Sequence, residues 1–467
     1  MSKFFTFARK ISQISQISAT RITGHVTGIV GLTLTVGGLQ RAAGIGQRCR
    51  VHGRQRVIDS EVVGLGPDGI RLLPFGRWQG VAIGNPVELI LNDSGIHPDD
   101  SWIGTVVDAL GQPLSHAPRF SRRRKSQAAT SPPPVMERKM VGQKLETQIK
   151  CIDVYTPICR GQRMGIFAGS GVGKSTLMAM LARNTDADVI VMGLIGERGR
   201  EVREFIENDL GEEGLARSVL VVSTGDEAPL LRRQAAWTAM SVAEHFRSTG
   251  RQVLLLLDSV TRFAMAQREI GLAVGEPPTT RGYPPTVFSE LPQLLERAGP
   301  GRDGEGDITG IFTVLVEGDD MNEPVADAVR GMVDGHIVLD RRVAERNRFP
   351  AIDIQRSVSR MLPACHDDDQ QVILRKSRQA MARYADMEDL IRVGAYKPGS
   401  DPDTDNAIQF FEQADPYLSQ GRADKVTSEQ AFVDVFRMLL EAGIDVDLPS
   451  LRKTQDAKQP VTPEMTE

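Results

Sequence analysis

Between about residues 145 and 360, short apolar runs alternate with segments that have a helical pattern. The apolar runs contain almost no polar residues, which is typical of strands covered on both faces of a parallel sheet. Their alternation with helical segments is typical of consecutive βαβ units. The runs with this pattern lie at residues 189–195, 219–222, 253–257 and 310–316. The pattern therefore predicts an α/β domain built on a parallel sheet.

Residues 22–90 have a different pattern, in which short β-forming runs are separated by glycine-rich and proline-containing turns. Runs at 25–30, 32–36 and 80–83 are examples. Closely spaced strands with such turn residues predict a small β-barrel. Beyond Val372 the chain becomes polar and helical, which predicts a helical C-terminal domain.

These changes of pattern divide the chain into five expected segments. A polar stretch that ends in prolines interrupts the α/β core, and we expect it to be an exposed linker. The expected segments are an amphipathic partner-binding segment at 1–21, a β-barrel at 22–95, the α/β core at 96–370 with its linker at 117–137, a helical domain at 371–445 and a tail at 446–467.

The first residues combine a helical apolar stripe with positive charge. Phe4, Phe7, Ile11 and Ile14 are spaced by three and four residues, which predicts a helix that docks on a partner. The basic, acid-free composition also fits a transit peptide. We prefer the docking helix because of the apolar stripe.

Charge is distributed unevenly along the chain. Nine basic residues and no acidic residue precede Asp59, which leaves 47 basic and 60 acidic residues for the rest. A cationic front end on an anionic body suits an acidic partner or an anionic membrane surface. It is also compatible with a basic surface that has no dedicated ligand. A basic run at 122–125 lies in the expected linker and is more typical of a solvated loop than of a nucleic-acid site.

Other features of composition exclude whole classes of protein. No apolar run approaches the roughly 18 residues that a membrane-spanning helix needs. The four cysteines, Cys49, Cys151, Cys159 and Cys365, lack metal or disulfide spacing, so we expect buried thiols in a reducing compartment.

One glycine-rich loop carries the strongest chemical signal. It follows an apolar strand at 164–167 and precedes a helix-forming run at 176–183. Its glycines leave backbone N–H groups free to surround an anion, and the helix N-terminus adds its dipole. Lys174 would contact the β- and γ-phosphates, and the Ser175 hydroxyl would bind Mg²⁺. The predicted nucleotide-binding residues here are Gly169, Ser170, Gly171, Val172, Gly173, Lys174, Ser175 and Thr176.

Two acidic residues at strand ends complete the predicted chemistry. Asp258 follows the apolar run 253–257, where a carboxylate can hold Mg²⁺ beside Ser175. Glu197 follows the run 189–195, and ligand crevices of parallel sheets open at the carboxyl ends of strands. We therefore predict that Glu197 orients the attacking water and that Arg198 steadies phosphate oxygens or this carboxylate.

Taken together, these motifs resemble the catalytic subunits of rotary ATP synthases. The resemblance rests on the Glu-Arg pair after the phosphate loop, the aspartate that ends a Leu-rich strand, and the signature Pro-Ala-Ile-Asp-Ile-Gln-Arg-Ser-Val-Ser at 350–359. It implies a RecA-like core that binds ATP and Mg²⁺. It also implies that Phe349 stacks on adenine and that Arg360 reaches into a neighbour's nucleotide site.

Further strings are similar to the type III export branch of this family and to its flagellar member. They lie at 28–39, 281–299 and 391–396, and the similarity runs from about residue 24 to 436. Two departures stand out. Gln148 occupies a position where the family has glycine, and residues 417–422 lack the second adenine-facing aromatic of synthase subunits.

The resemblance implies an ATPase that powers the export of flagellar proteins as a homohexamer in the cytoplasm, peripheral to the inner membrane at the flagellar base. Implied partners are a regulator at the N-terminus, a coiled-coil stalk in the ring centre, chaperone–substrate complexes, the export gate and acidic lipids, but no nucleic acid. The virulence-secretion ATPase is the nearest alternative. A heterohexameric synthase subunit, a ring-shaped RNA helicase and a structural ring subunit without catalysis fit less well. The helicase would need aromatics for base stacking, whereas 22–90 offers only Phe75 and Trp78.

Overall fold

A nine-stranded sheet forms the centre of the molecule, with a closed six-stranded barrel before it in the chain and a group of helices after it. The structure is a computed structural model that describes residues 21–91, 95–114, 132–316, 318 and 320–449. The expected N-terminal docking helix, most of the expected linker and the end of the expected tail lie outside these residues. Among the described residues, no helix combines the length and apolar character needed to cross a bilayer.

The strands are numbered in chain order. They are β1 Ile22–Val30, β2 Thr33–Gly37, β3 Arg48–His52, β4 Val57–Gly66, β5 Gly69–Pro74, β6 Pro86–Leu89, β7 Thr105–Asp108, β8 Arg163–Ala168, β9 Val189–Glu197, β10 Ser218–Thr224, β11 Val253–Asp258, β12 Gly299–Pro300, β13 Asp307–Leu315, β14 Gly335–Leu339 and β15 Ile352–Ser359.

The helices are numbered in the same way. They are α1 Lys150–Tyr155, α2 Lys174–Asn184, α3 Gly199–Glu204, α4 Gly211–Ala216, α5 Pro229–Ser248, α6 Val260–Val274, α7 Pro285–Leu295, α8 Pro324–Met332, α9 Arg341–Glu345, α10 Asp368–Arg392, α11 Pro402–Tyr417 and α12 Ser428–Glu441. A π-helical turn at Phe205–Leu210 joins α3 to α4, and short 3₁₀ turns lie at Asp100–Trp102, Val135–Glu137 and Thr280–Gly282.

The central sheet has the order β15-β14-β8-β13-β11-β9-β10-β7, with β12 paired to β13. The strands from β14 to β7 are parallel, as the apolar runs predicted. Alternate side chains of β9 enter different cores. Ile190 and Met192 pack with α1, α2 and the C-terminal helices, whereas Val189 and Val191 pack with α5 to α8. Burial on both faces explains why these strands have no polar side.

The edge strand β15 is antiparallel to β14. Its last residue, Ser359, lies opposite Gly335, the first residue of β14. Because β14 is parallel to β8, β15 ends at the edge of the sheet where the parallel strands begin. The phosphate loop follows the other end of β8, so the two features lie at opposite edges of the sheet.

The predicted N-terminal barrel is present, with the strand order β1-β2-β5-β4-β3-β6. The prediction of a strand at 80–83 is wrong, because this segment forms two tight turns. Gly80 and Gly84 have φ of 82° and 88°, and the Asn85 side chain accepts a hydrogen bond from the Ala82 N–H. The barrel contacts the core through an ion pair between Glu61 and Arg233, which are 2.6 Å apart and mostly shielded from solvent.

The C-terminal helices share one continuous hydrophobic core with the sheet. Phe432 and Val435 of α12 belong to the same buried cluster as Ile152 of α1. Gln148, just before α1, has φ of 57°, and its carbonyl accepts a hydrogen bond from the Gln420 amide at 2.7 Å. A left-handed conformation favours glycine, which explains the glycine that the family pattern has at this position.

Candidate active site

The phosphate loop joins β8 to α2 at the carboxyl edge of the sheet. Gly171 and Gly173 have φ of 79° and 92°, a region that residues with a Cβ rarely adopt. A Cβ added at Gly171 would meet no atom within 4 Å, so the loop is open on this side. Helix α2 begins at Lys174, two residues earlier than the helix-forming run suggested. The loop therefore has backbone N–H groups and a helix N-terminus on the open side of the sheet.

Lys174 joins the two predicted carboxylates. Its Nζ forms an ion pair with Asp258 Oδ1 and lies 3.4 Å from Glu197 Oε1. Burial opposes the charge of the ammonium group, but the two carboxylates outweigh it and raise the pKa of Lys174. The structure thus brings three residues, predicted from separate strand ends, into one cluster.

Glu197 ends β9 and has a perturbed environment. Burial raises the pKa of its carboxyl group above the usual range; Lys174 opposes this shift, and the negative charge of Asp258 adds to it. A carboxylate with a raised pKa is a stronger proton acceptor than a solvated one, which suits a group that activates water.

Arg262 was missed by the sequence analysis. Its side chain covers Gly196, where an added Cβ would lie 3.0 Å from Arg262 Cβ, and its positive charge acts to lower the pKa of Glu197. Its Nε is buried and has no hydrogen-bond partner among the described residues. The available signal was its position in the first turn of α6, directly after the strand that ends at Asp258.

The side chain of Arg198 does not contact the cluster of Lys174, Glu197 and Asp258. It is 86% exposed and lies 3.6 Å from Glu201. In the single chain it contacts a helix-surface carboxylate rather than the cluster around Lys174.

Asp258 and Ser175 provide oxygen ligands of the kind that Mg²⁺ prefers. Asp258 ends β11 and is 5% exposed, whereas Ser175 lies exposed on the first turn of α2. No hydrogen bond reaches Asp258 Oδ2 from any described residue, so this oxygen is available to a metal-bound water. The described residues contain no cluster of three or more His, Cys, Asp or Glu arranged to hold a metal.

Phe349 lies against the phosphate loop. A Cβ added at Gly173 would lie 3.5 Å from its ring, and the ring is partly exposed. Its carbonyl accepts a hydrogen bond from the Gln420 N–H at 2.7 Å. Tyr417 does not provide a second aromatic wall, because its ring lies 4.3 Å from the Lys150 ammonium and its hydroxyl donates to Asp434.

Replacing Phe349 by Ala is expected to weaken ATP binding roughly 10-fold, since stacking contributes about 1–3 kcal/mol per base. The affinity for tripolyphosphate, which has no base, should not change. Equilibrium titration with both compounds provides the measurement. Equal losses for the two would show that Phe349 supports the loop and does not contact the base.

Arg360 is the one predicted site residue that lies far from the cluster. Its N–H donates to the Asp334 carbonyl, and the Asp334 N–H donates to the Arg163 carbonyl at the start of β8. Ala168 lies five residue steps further along β8 than Arg163, about 17 Å at 3.3 Å per residue. An arginine side chain cannot span this distance to reach the phosphate loop of its own chain.

The fold and the site define a P-loop nucleotide-binding protein with a carboxylate at the catalytic edge of its sheet. Residues 148–359 match the nucleotide-binding domain of the ATP synthase alpha/beta family, and residues 366–434 match the C-terminal domain of the type III secretion ATPase EscN. The flagellum-specific ATP synthase of Caulobacter vibrioides is 48% identical over 430 residues, covering 90% of this chain and 97% of that protein. The Salmonella typhimurium protein of that name is 43% identical over 439 residues, covering 91% and 96%. The chain belongs to the ATP synthase alpha/beta family, in its flagellum-specific branch, and is an ATPase.

A solved structure has the same fold. The assembled ATPase EscN of the enteropathogenic E. coli type III secretion system is 38% identical, with a TM-score of 0.81. The match covers 89% of this chain and all of that chain. EscN has also been solved in complex with its central stalk EscO, and that structure matches with a TM-score of 0.80.

Proposed function

We propose that this protein hydrolyses Mg-ATP to energise the export of flagellar proteins through a type III secretion apparatus. The observation that carries the proposal is the convergence of Lys174, Glu197 and Asp258 at the phosphate loop. The names of the relatives support a role in flagellar export.

Each residue of the cluster has a separate role in this proposal. Lys174 exchanges its carboxylate partners for the β- and γ-phosphates when ATP binds. Glu197 orients the attacking water and accepts its proton, for which its raised pKa is suited. Ser175, and Asp258 through water, would hold the Mg²⁺ that would supply positive charge to the phosphate oxygens. Phe349 stacks on the adenine.

The position of Arg360 supports a ring of identical chains. Since Arg360 cannot reach its own phosphate loop, Arg360 of a neighbouring copy completes each site. Head-to-tail contacts that close produce rings, and we propose a homohexamer like the assembled relative. We further propose that a coiled-coil stalk protein occupies the ring centre, by analogy with the complex of EscN with its central stalk EscO. From the names of the flagellar relatives we propose that the ring works on the cytoplasmic side of the inner membrane at the flagellar base.

The alternative is a virulence-secretion ATPase, which the likeness to EscN favours. Deletion of the gene should abolish swimming and flagellin export, and the wild-type gene should restore both. A Lys174→Ala gene should restore neither, because the phosphates lose their cation. A deletion strain that still swims but no longer secretes virulence effectors would favour the alternative.

A further inference from the structure

Thr313 contacts the carboxylate that the proposed function assigns to the metal. It lies on β13, next to β11 in the sheet, where Leu257 pairs with Phe312. Its Oγ1 is 2.7 Å from Asp258 Oδ1 and 3.3 Å from the Leu257 carbonyl oxygen. Thr313 is fully buried. Its hydroxyl therefore donates to a charged acceptor in a site shielded from water, where such bonds are strong.

The two donors to Asp258 use the same oxygen. Lys174 and Thr313 both contact Oδ1, and Oδ2 receives no hydrogen bond from any described residue. A carboxylate with one oxygen fixed by two donors has a defined orientation and presents its other oxygen to a ligand. In the proposed reaction Lys174 turns to the phosphates, which leaves Thr313 as the donor that still fixes Asp258.

We propose that Thr313 is a positioning residue that orients Asp258 so that its free oxygen holds the water shell of Mg²⁺. This inference rests on the proposed function and deepens it. Valine has the shape of threonine but cannot donate, so Thr313→Val removes the bond and leaves the packing. Residues that orient a metal ligand typically change metal affinity 10- to 100-fold when they are replaced.

The test uses the full-length protein and a fluorescent ADP analogue carrying a methylanthraniloyl group. Its affinity is measured first in EDTA and then in a Mg²⁺ titration. For Thr313→Val we expect the Mg²⁺ concentration for half-maximal tightening to rise about 10-fold. The affinity in EDTA should remain that of the wild type. Thr313→Ser, which keeps the hydroxyl, should behave like the wild type.

Thr309 provides a matched control on the same strand. Thr309 lies four residues before Thr313 and is also buried. Its hydroxyl accepts a hydrogen bond from the Gly161 N–H. Thr309→Val should leave the Mg²⁺ titration unchanged. An unchanged titration for Thr313→Val, or an equal loss of affinity in EDTA, would overturn the positioning role. A wild type whose nucleotide affinity does not depend on Mg²⁺ would overturn the metal role of Asp258 itself.

Discussion

Replacing Glu197 by Gln is expected to reduce ATP turnover by about 10³-fold or more while Mg-ATP binding is kept. Glutamine preserves the size and can still hydrogen bond, but it cannot accept the proton of the attacking water. General-base catalysis contributes about 10²–10⁴-fold, and loss of the charge that orients the water adds to this. Phosphate release under saturating ATP measures turnover, and equilibrium titration of Mg-ATP measures binding.

Glu204 provides the control for this substitution. It lies exposed on α3 and forms an ion pair with Arg200. Glu204→Gln should hydrolyse ATP at the wild-type rate. If Glu197→Gln does so too, Glu197 is not the base.

The pH profile tests the same assignment in the wild type. A base must be deprotonated, so activity falls as the pH drops through its pKa. Because burial raises the pKa of Glu197 in the nucleotide-free protein, the acidic limb of kcat/KM, which reports the free enzyme, should lie at a higher pH than for a solvated carboxylate.

The sequence predicted the parts of the fold in which local pattern and tertiary packing agree. The strands β9, β10, β11 and β13 were found because both of their faces are buried, which leaves an unbroken apolar run in the sequence. The phosphate loop was found because its chemistry needs glycines in fixed order. Barrel strands were harder to predict, because glycine and β-formers occur in strands and turns alike. For this reason the segment at 80–83 was predicted as a strand, although it forms turns.

The side-chain network of the site could not be predicted in the same way. Glu197 and Asp258 were found because strand ends of a parallel sheet meet at one edge, a rule of topology. Their shared contact with Lys174 depends on side-chain conformations that no spacing rule gives. The contact of Thr313 with Asp258 could not be predicted, because a threonine inside an apolar strand is typical of any β-sheet.

Replacing Arg360 by Ala is expected to abolish the rise in specific activity that accompanies ring assembly. The structure places Arg360 at the edge of the sheet opposite the phosphate loop, so its guanidinium can act only on the site of another copy. At dilutions where the protein is monomeric, wild type and variant should hydrolyse ATP at the same low rate. At concentrations where rings form, the wild type should exceed the variant by about 10³-fold or more, as arginine fingers do in other ATPases and GTPases.

Sedimentation must show that the variant is monomeric and forms rings at the same concentrations as the wild type. Arg375→Ala, which replaces an exposed arginine on α10, should show the normal rise in ATPase activity on ring assembly. Mixed rings extend the test. Each Arg360→Ala copy disables the site of its neighbour and leaves its own site intact, so activity should fall more steeply than the fraction of wild-type copies if the sites work in sequence. A variant that assembles and is activated like the wild type would show that Arg360 is not the group that ring assembly adds to the site.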